Sequence, residues 1–206
     1  MTITWLGHAC MMITHGGYSV VLDPYAPGSV PGYAALDVEA DEVLCSHDHS
    51  DHNAAGCVRL SAGKKSPFIV TEIHTWHDEV QGAKRGPSII RIFEADGIRV
   101  AHMGDIGCPL TEDQVKTLGR LDAVMMPVGG FYTVDAAEAK AELDKLDTGV
   151  IIPMHYRGAD FGYDVLSGVE LFTALYTDIP VNDVGSDSID VSAGESAQIA
   201  LLDHRF

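Results

Sequence analysis

The chain is poor in basic residues: 13 Lys and Arg stand against 30 Asp and Glu in 206 residues, a formal net charge of −17. Such a chain repels phosphate backbones and anionic headgroups, so neither a nucleic acid nor a membrane surface is expected as a partner. Cysteine is scarce too. Cys10, Cys45, Cys57 and Cys108 form no C-x-x-C pair, and a chain of this length needs no disulfide staples, so they read as reduced thiols of a cytoplasmic protein. Long apolar runs are missing, with nothing near the roughly 20 residues that span a bilayer. The opening MTITWLGHACMMITH has neither a basic stretch nor an uninterrupted apolar one, so no signal peptide is expected. The low hydrophobicity that disorder needs is absent as well. A hydrophobic content of 46% and a mean hydropathy of +0.08 describe a chain that buries a core. Length favours one domain over residues 1–206.

What is there is an alternation of short β-type runs and turn signals. Thr2–Leu6, Met11–Thr14 and Tyr18–Leu22 read as strands, with Gly16-Gly17 as a hairpin turn. Glu42–Ser46, Phe68–His74, Ser88–Glu94 and Ile98–Met103 follow. The last two flank Asp96-Gly97, a pair suited to the positive φ angles of a type I′ turn. Ala123–Val128 and Val150–Met154 are apolar enough to be buried on both faces. Thr111-Glu-Asp-Gln114 fits a capping box that opens a helix to about Leu118. Asp135 caps a second helix, AAEAKAELDKL, which Asp147-Thr-Gly149 ends. Residues 54–62 and 166–177 are weaker helix candidates. Hairpins followed by β-helix-β steps predict an α/β domain of mixed sheets with helices outside.

Ten histidines are many for this length, and three fall within six positions, in Cys45-Ser-His47-Asp48-His49-Ser50-Asp51-His52. At a strand end, residues two apart point the same way, so His47 and His49 can hold one cation together. Asp51 and His52, past the turn, could face a second. Imidazole and carboxylate without thiolate suit zinc, and less selectively manganese or iron. The plain alternative is a solvated polar loop. Four potential ligands directly behind an apolar strand speak against it.

H-x-H-x-D-H after a strand resembles the metallo-β-lactamase superfamily, and four further motifs of that superfamily match in chain order. They are Asp23 in V-V-L-D-P-Y, His77 in E-I-H-T-W-H-D-E, Asp105 in A-H-M-G-D-I-G and His155 in I-I-P-M-H-Y. The stretches L-G-H-A, M-G-D-I-G, P-V-G-G-F-Y-T and I-P-M-H-Y are similar to small Zn-dependent hydrolases related to ascorbate-6-phosphate lactonase. The resemblance implies a four-layer αβ/βα sandwich of two mixed sheets flanked by helices, with the site along one edge. It also implies two zinc ions. His47, His49 and His77 would hold the first, Asp51, His52 and His155 the second, and Asp105 would bridge them. Asp23 would lie behind the ligands and orient the cluster loop. The implied chemistry is hydrolysis of a small-molecule ester, lactone or phosphoester by a hydroxide that the two metals share. The alternatives are a phosphodiesterase or nuclease of the same superfamily, which the negative charge opposes, and a non-catalytic metal-binding module. A redox di-iron protein would want a carboxylate where His49 stands. Homo-oligomerisation is left open.

Other residues are candidates for the chemistry. Asp51 and Asp105 are expected to act directly, with His102 as proton donor to the leaving group or as a hydrogen-bonded histidine behind the ligands. His8, in G-H-A-C, is a weaker candidate for the layer behind the ligands. Lys84, Arg85 and Arg157 could take an anionic substrate group, against their ordinary place in solvent. Tyr132 and Thr133 could line the pocket or merely pack. Cys45 and Cys108 read as small buried hydrophobes rather than ligands. His74 and His77 are three apart, so on one strand they face opposite ways; the strand-end His77 is the expected ligand and His74 a packed residue.

Overall fold

The computed structural model describes residues 1–204. The chain runs through β1 (Thr2–Gly7), β2 (Cys10–His15), β3 (Tyr18–Leu22), β4 (Val38–Ala40), β5 (Glu42–Leu44), β6 (Val58–Leu60), β7 (Ile69–Trp76), β8 (Pro87–Ala95) and β9 (Ile98–His102). There follow α1 (Glu112–Leu118), β10 (Arg120–Pro127), α2 (Ala136–Leu143), β11 (Asp147–Met154), α3 (Glu170–Thr173), β12 (Val181–Asp183), β13 (Ser188–Asp190) and β14 (Gln198–Leu201). Two mixed sheets result. The first has the order β13-β1-β2-β3-β5, antiparallel except where β3 meets β5; the second has the order β12-β14-β11-β10-β9-β8-β7, parallel from β12 to β9 and antiparallel beyond.

Strand periodicity explains why the sheets stack. Ile3 and Trp5 of β1, Met11 and Ile13 of β2, and Val20 and Leu22 of β3 alternate onto one face, where they join Ile90, Ile92, Val100, Val124 and Ile152 of the second sheet in a single core. The opposite face of the first sheet presents Leu6, Cys10 and Val21 to a separate cluster with Tyr25, Val30, Tyr33, Ala40 and Val58. That outer layer is a loop and the short β4–β6 pair rather than a helix. Helices contribute Leu118, Ala139, Leu143 and Phe172 to the main core. No helix of the described residues is long and apolar enough to cross a membrane.

Local signals are used as the chemistry of their residues requires. Both helices α1 and α2 start in capping boxes, Thr111 with Gln114 and Asp135 with Glu138. Asp96 and Gly97 turn with φ of 49° and 75°. Three expectations fail. Residues 54–62 form a single 3₁₀ turn, Ala55–Cys57, and then β6, because Val58–Leu60 pairs in parallel with β4. Of residues 166–177 only Glu170–Thr173 is helical, and Val169 offers that helix no capping side chain. The strand before the histidine cluster stops at Leu44, so side-chain alternation is not what brings His47 and His49 together.

Candidate metal centre

Six strand ends converge on one place. Directly or within a few residues, β1 leads to His8, β3 to Asp23, β5 to His47–His52, β7 to His77, β9 to Asp105 and β11 to His155. Three of these residues turn through left-handed backbone, with φ of 54° at His8, 48° at Asp23 and 54° at His155. Each such non-glycine residue costs on the order of 1–3 kcal/mol, which the surroundings must offset, and such strain collects at functional sites. Two glycines let the segments close. A Cβ on Gly104, whose φ is +55°, would sit 2.8 Å from the Ile89 carbonyl oxygen, and one on Gly129 would sit 2.2 Å from that of His155.

Asp105 lies at the middle. Its Oδ2 is 3.1 Å from His52 Nε2, 3.2 Å from His77 Nε2, 3.2 Å from His155 Nε2 and 4.0 Å from His47 Nε2. The ligand atoms of His47, His49 and His77 lie within 4.8 Å of one another, and so, separately, do those of His8, Asp51, His52 and His155. Behind them, Asp23 accepts hydrogen bonds from Ser46 N–H (2.6 Å), Ser46 Oγ–H (2.5 Å) and His52 Nδ1 (3.0 Å). With its hydroxyl proton given to Asp23, Ser46 accepts from His47 Nδ1 at 2.8 Å. Both Nδ1 atoms are thereby occupied, which leaves the Nε2 atoms of His47 and His52 to face Asp105.

Burial and mutual charge set the protonation states. Burial alone would raise the Asp105 carboxyl, but the imidazoles of His155 and His52 hold it well below the usual range. Burial pulls His52 down, and the carboxylates of Asp105 and Asp23 outweigh it and push His52 well above its ordinary value. A cation arriving there must displace a proton. Burial, reinforced by His155, lowers His8 to about 3, and burial lowers His47 to about 4, so both are neutral at pH 7. Several buried polar atoms find no hydrogen-bond partner: both ring nitrogens of His8 and His155, Nε2 of His47 and His52, Nδ1 of His77 and Oδ1 of Asp105. Atoms left this way cost about 1–3 kcal/mol each. A donor set of imidazoles and carboxylates without thiolate fits a borderline transition-metal cation, which would satisfy many of them.

A cleft of about 340 Å³ adjoins His49, Asp51, His77 and Asp105, with Arg85, Tyr132 and Tyr163 also in its walls. A second, of about 550 Å³, lies beside His47 and His49 and shares Arg85 with the first. Asp78, next to His77, fixes Arg85. Its carboxylate accepts the backbone N–H groups of Val80, Gly82, Lys84 and Arg85 at 2.7–3.0 Å, which winds the loop tightly after the strand. The Arg85 guanidinium donates to the Phe131 carbonyl at 3.0 Å and stands 5.7 Å from the centre of the Tyr132 ring.

The residues singled out from the sequence thus divide. His47, His49, Asp51, His52, His77, Asp105 and His155 meet, with Asp23 behind them; Arg85 and Tyr132 line the cleft. His8 lies inside the cluster rather than behind it, its Nε2 3.3 Å from Asp51 Oδ2. His102 is buried with both ring nitrogens committed to backbone: Nε2 to the Ala9 carbonyl (2.9 Å), and Nδ1 accepting from Gly104 N–H (3.2 Å). That removes it from a proton-donor role. Lys84 pairs with Glu79 and Arg157 is exposed, and neither lines the cleft. Thr133 is buried and its hydroxyl donates to the Val134 carbonyl. Cys45 and Cys108 are half-buried and belong to neither donor group. His74 is exposed rather than packed, because the buried face of β7 carries Ile73 and Thr75. Sequence reasoning passed over Tyr163, whose hydroxyl lies 3.4 Å from Asp51 Oδ2, and for which no local signal exists. It also passed over Ser46 and Asp78, polar residues adjoining ligands in sequence.

Comparison with known proteins agrees with this geometry. The family described as "Beta-lactamase superfamily domain" matches residues 2–155. A metal-dependent hydrolase of Archaeoglobus fulgidus is 28% identical over 194 residues, covering 76% of this chain and 83% of that one. One from Methanoregula boonei is 31% identical over 191 residues, covering 76% and 82%. A solved Thermotoga maritima structure, assigned to the Zn-dependent hydrolases of the metallo-β-lactamase superfamily, superposes with a TM-score of 0.74 at 30% identity and covers 97% of each chain.

Proposed function

The chain belongs to the metallo-β-lactamase superfamily, and from that premise we propose that it is a metal-dependent hydrolase holding two zinc ions and acting on a small-molecule ester, lactone or phosphoester. The observation that carries this reading is Asp105, whose Oδ2 lies within 3.2 Å of His77 from one donor group and of His52 and His155 from the other. One carboxylate within reach of both groups suits a pair of cations a few ångströms apart. Held there as a pair, such cations would lower the pKa of a water toward neutral and polarise the electrophile's oxygen. The chain's own groups do the rest. Asp105 joins the two donor groups, Asp51 adds a carboxylate to the second, and Asp23 keeps His52 in the tautomer that presents Nε2. Arg85 brings a positive charge to the cleft wall in a chain of net charge −17, and this favours substrates with an anionic group. Tyr132 and Tyr163 offer aromatic surface and hydroxyls beside it.

The experiment is a reporter panel on zinc-loaded protein: lactones, carboxylic esters with and without an anionic group, phosphodiesters and β-lactams. Turnover that prefers the anionic ester or a lactone, and stops with chelator, is expected. Phosphodiester turnover alone would exclude the ester and lactone and narrow this reading to a phosphodiesterase. No turnover of any reporter by protein that retains its metal would favour a non-catalytic metal module.

A further inference from the structure

We propose that His8 is itself a ligand of the second cation site, so that this site, like the first, is built on three histidines. The inference rests on the two-cation reading above and deepens it: the second group would be His8, His52 and His155 with Asp51, set against His47, His49 and His77.

The protein contains its own comparison for a buried histidine. His102 and His8 are both almost wholly inaccessible, at 2% and 0% exposure. His102 satisfies both ring nitrogens with backbone groups, as a packed histidine should. His8 has no such backbone partners: Nδ1 meets no hydrogen-bonding group, and Nε2 faces only Asp51 Oδ2, at 3.3 Å and in poor hydrogen-bond geometry, which is itself a donor atom of the same group. Its ring instead lies 4.0 Å from the His155 ring and 5.5 Å from that of His52. Rings of the first group are spaced 4.6, 4.6 and 5.1 Å apart. Three imidazoles converging at such spacings, each with a ring nitrogen that no hydrogen bond claims, have the arrangement of a ligand set.

The backbone holds His8 where it is. Its carbonyl oxygen accepts the Trp5 Nε1–H at 2.9 Å and the His155 backbone N–H at 3.1 Å, so the two ligand segments are tied to each other and to the core. Trp5 is 1% exposed and packs on Tyr156 at 5.3 Å. The φ of 54° at His8 is retained against its cost. A second histidine-rich site would favour zinc, cobalt or nickel over the hard cations magnesium and calcium.

Cobalt-substituted protein can count the ligands, because each imidazole on a paramagnetic Co(II) gives its own hyperfine-shifted, exchangeable N–H proton resonance. With two equivalents of Co(II), six such resonances are expected, one for each histidine of the two groups. His8→Gln should lose one of them and hold the second equivalent roughly tenfold or more weakly. Two bound ions with five shifted resonances in the unaltered protein would overturn the role of His8 and leave the two-cation reading standing. A single bound ion would overturn both. The count on the unaltered protein decides the matter even if the variant fails to fold.

Discussion

The two donor groups that meet at Asp105 are built in opposite ways. His47, His49 and His77 come from two loops close in sequence, and His49 opens onto both clefts. His8, His52 and His155 come from three distant parts of the chain, and all three are fully buried. In the first group, spacing within a short motif does much of the positioning, and His49 stays open to the clefts. In the second, positioning is left to the fold. Left-handed turns at His8 and His155 and the bonds from Trp5 and the His155 backbone to His8 do what sequence neighbourhood does for the first. Burial also makes each unsatisfied nitrogen there more costly, so the second group would gain more from a bound cation.

The comparison breaks most completely at the residue both groups share. Asp105→Ala should lower reporter hydrolysis about a hundredfold or more, the scale seen when a pre-placed charge-stabilising group is removed. A near-normal rate would place the chemistry elsewhere. Next in size is the loss of one group alone. His77→Ala should cost about one equivalent of metal, read by elemental analysis after gel filtration, while His74→Ala, on the exposed face of β7, should keep the full complement. The reverse result would mean that the strand register is misread. Asp23→Asn should weaken metal binding by about 10–100-fold in a competitive chelator titration. It acts on both groups, because Asp23 holds His52 directly and His47 through Ser46; unchanged affinity would reduce Asp23 to a packing role.

The smallest expected effect is on the acid stability of metal-stripped protein. His8 and His47 sit at about 3 and about 4 against an ordinary 6.5, and His49 and His102 are lowered in the same direction, all chiefly by burial. A histidine lowered in this way stabilises the fold above its unfolded value and loses that contribution as pH falls toward the folded one. His52 has the opposite sign: it is raised, so its contribution is full below about 6.5 and is lost only as pH rises through its elevated value. Below about pH 6.5 the His52 contribution is constant, and only the four lowered histidines change. The Tm should therefore fall between about pH 6.5 and pH 4, and a flat or rising Tm by calorimetry over that window would contradict these assignments.

Where a structural feature is encoded within a few residues, it could be read directly. The strand Tyr18–Leu22, the Asp96-Gly97 turn and both capping boxes need only local chemistry. Strands such as Val58–Leu60 and Ser188–Asp190 escape because three residues carry too little periodicity, and only their partners β4 and β1 make them strands. The site follows the same rule. The H-x-H-x-D-H run and the single-ligand motifs stand out as residue types in pattern. His8 stands out only as a candidate for the layer behind the ligands and Tyr163 not at all, since what brings them to Asp51 is the closing of the β1–β2 turn and of the segment after β11. His102 misled for the converse reason: three residues from Asp105 is near in sequence, yet its ring turns away to the Ala9 carbonyl.

The pairing of the two groups through Asp105 can be tested by counting ions. Protein loaded with zinc, freed of loosely held metal and analysed by inductively coupled plasma spectrometry should carry close to two ions per chain, in keeping with two donor groups that share one carboxylate. One ion or fewer per chain, unchanged after zinc supplementation, would contradict it.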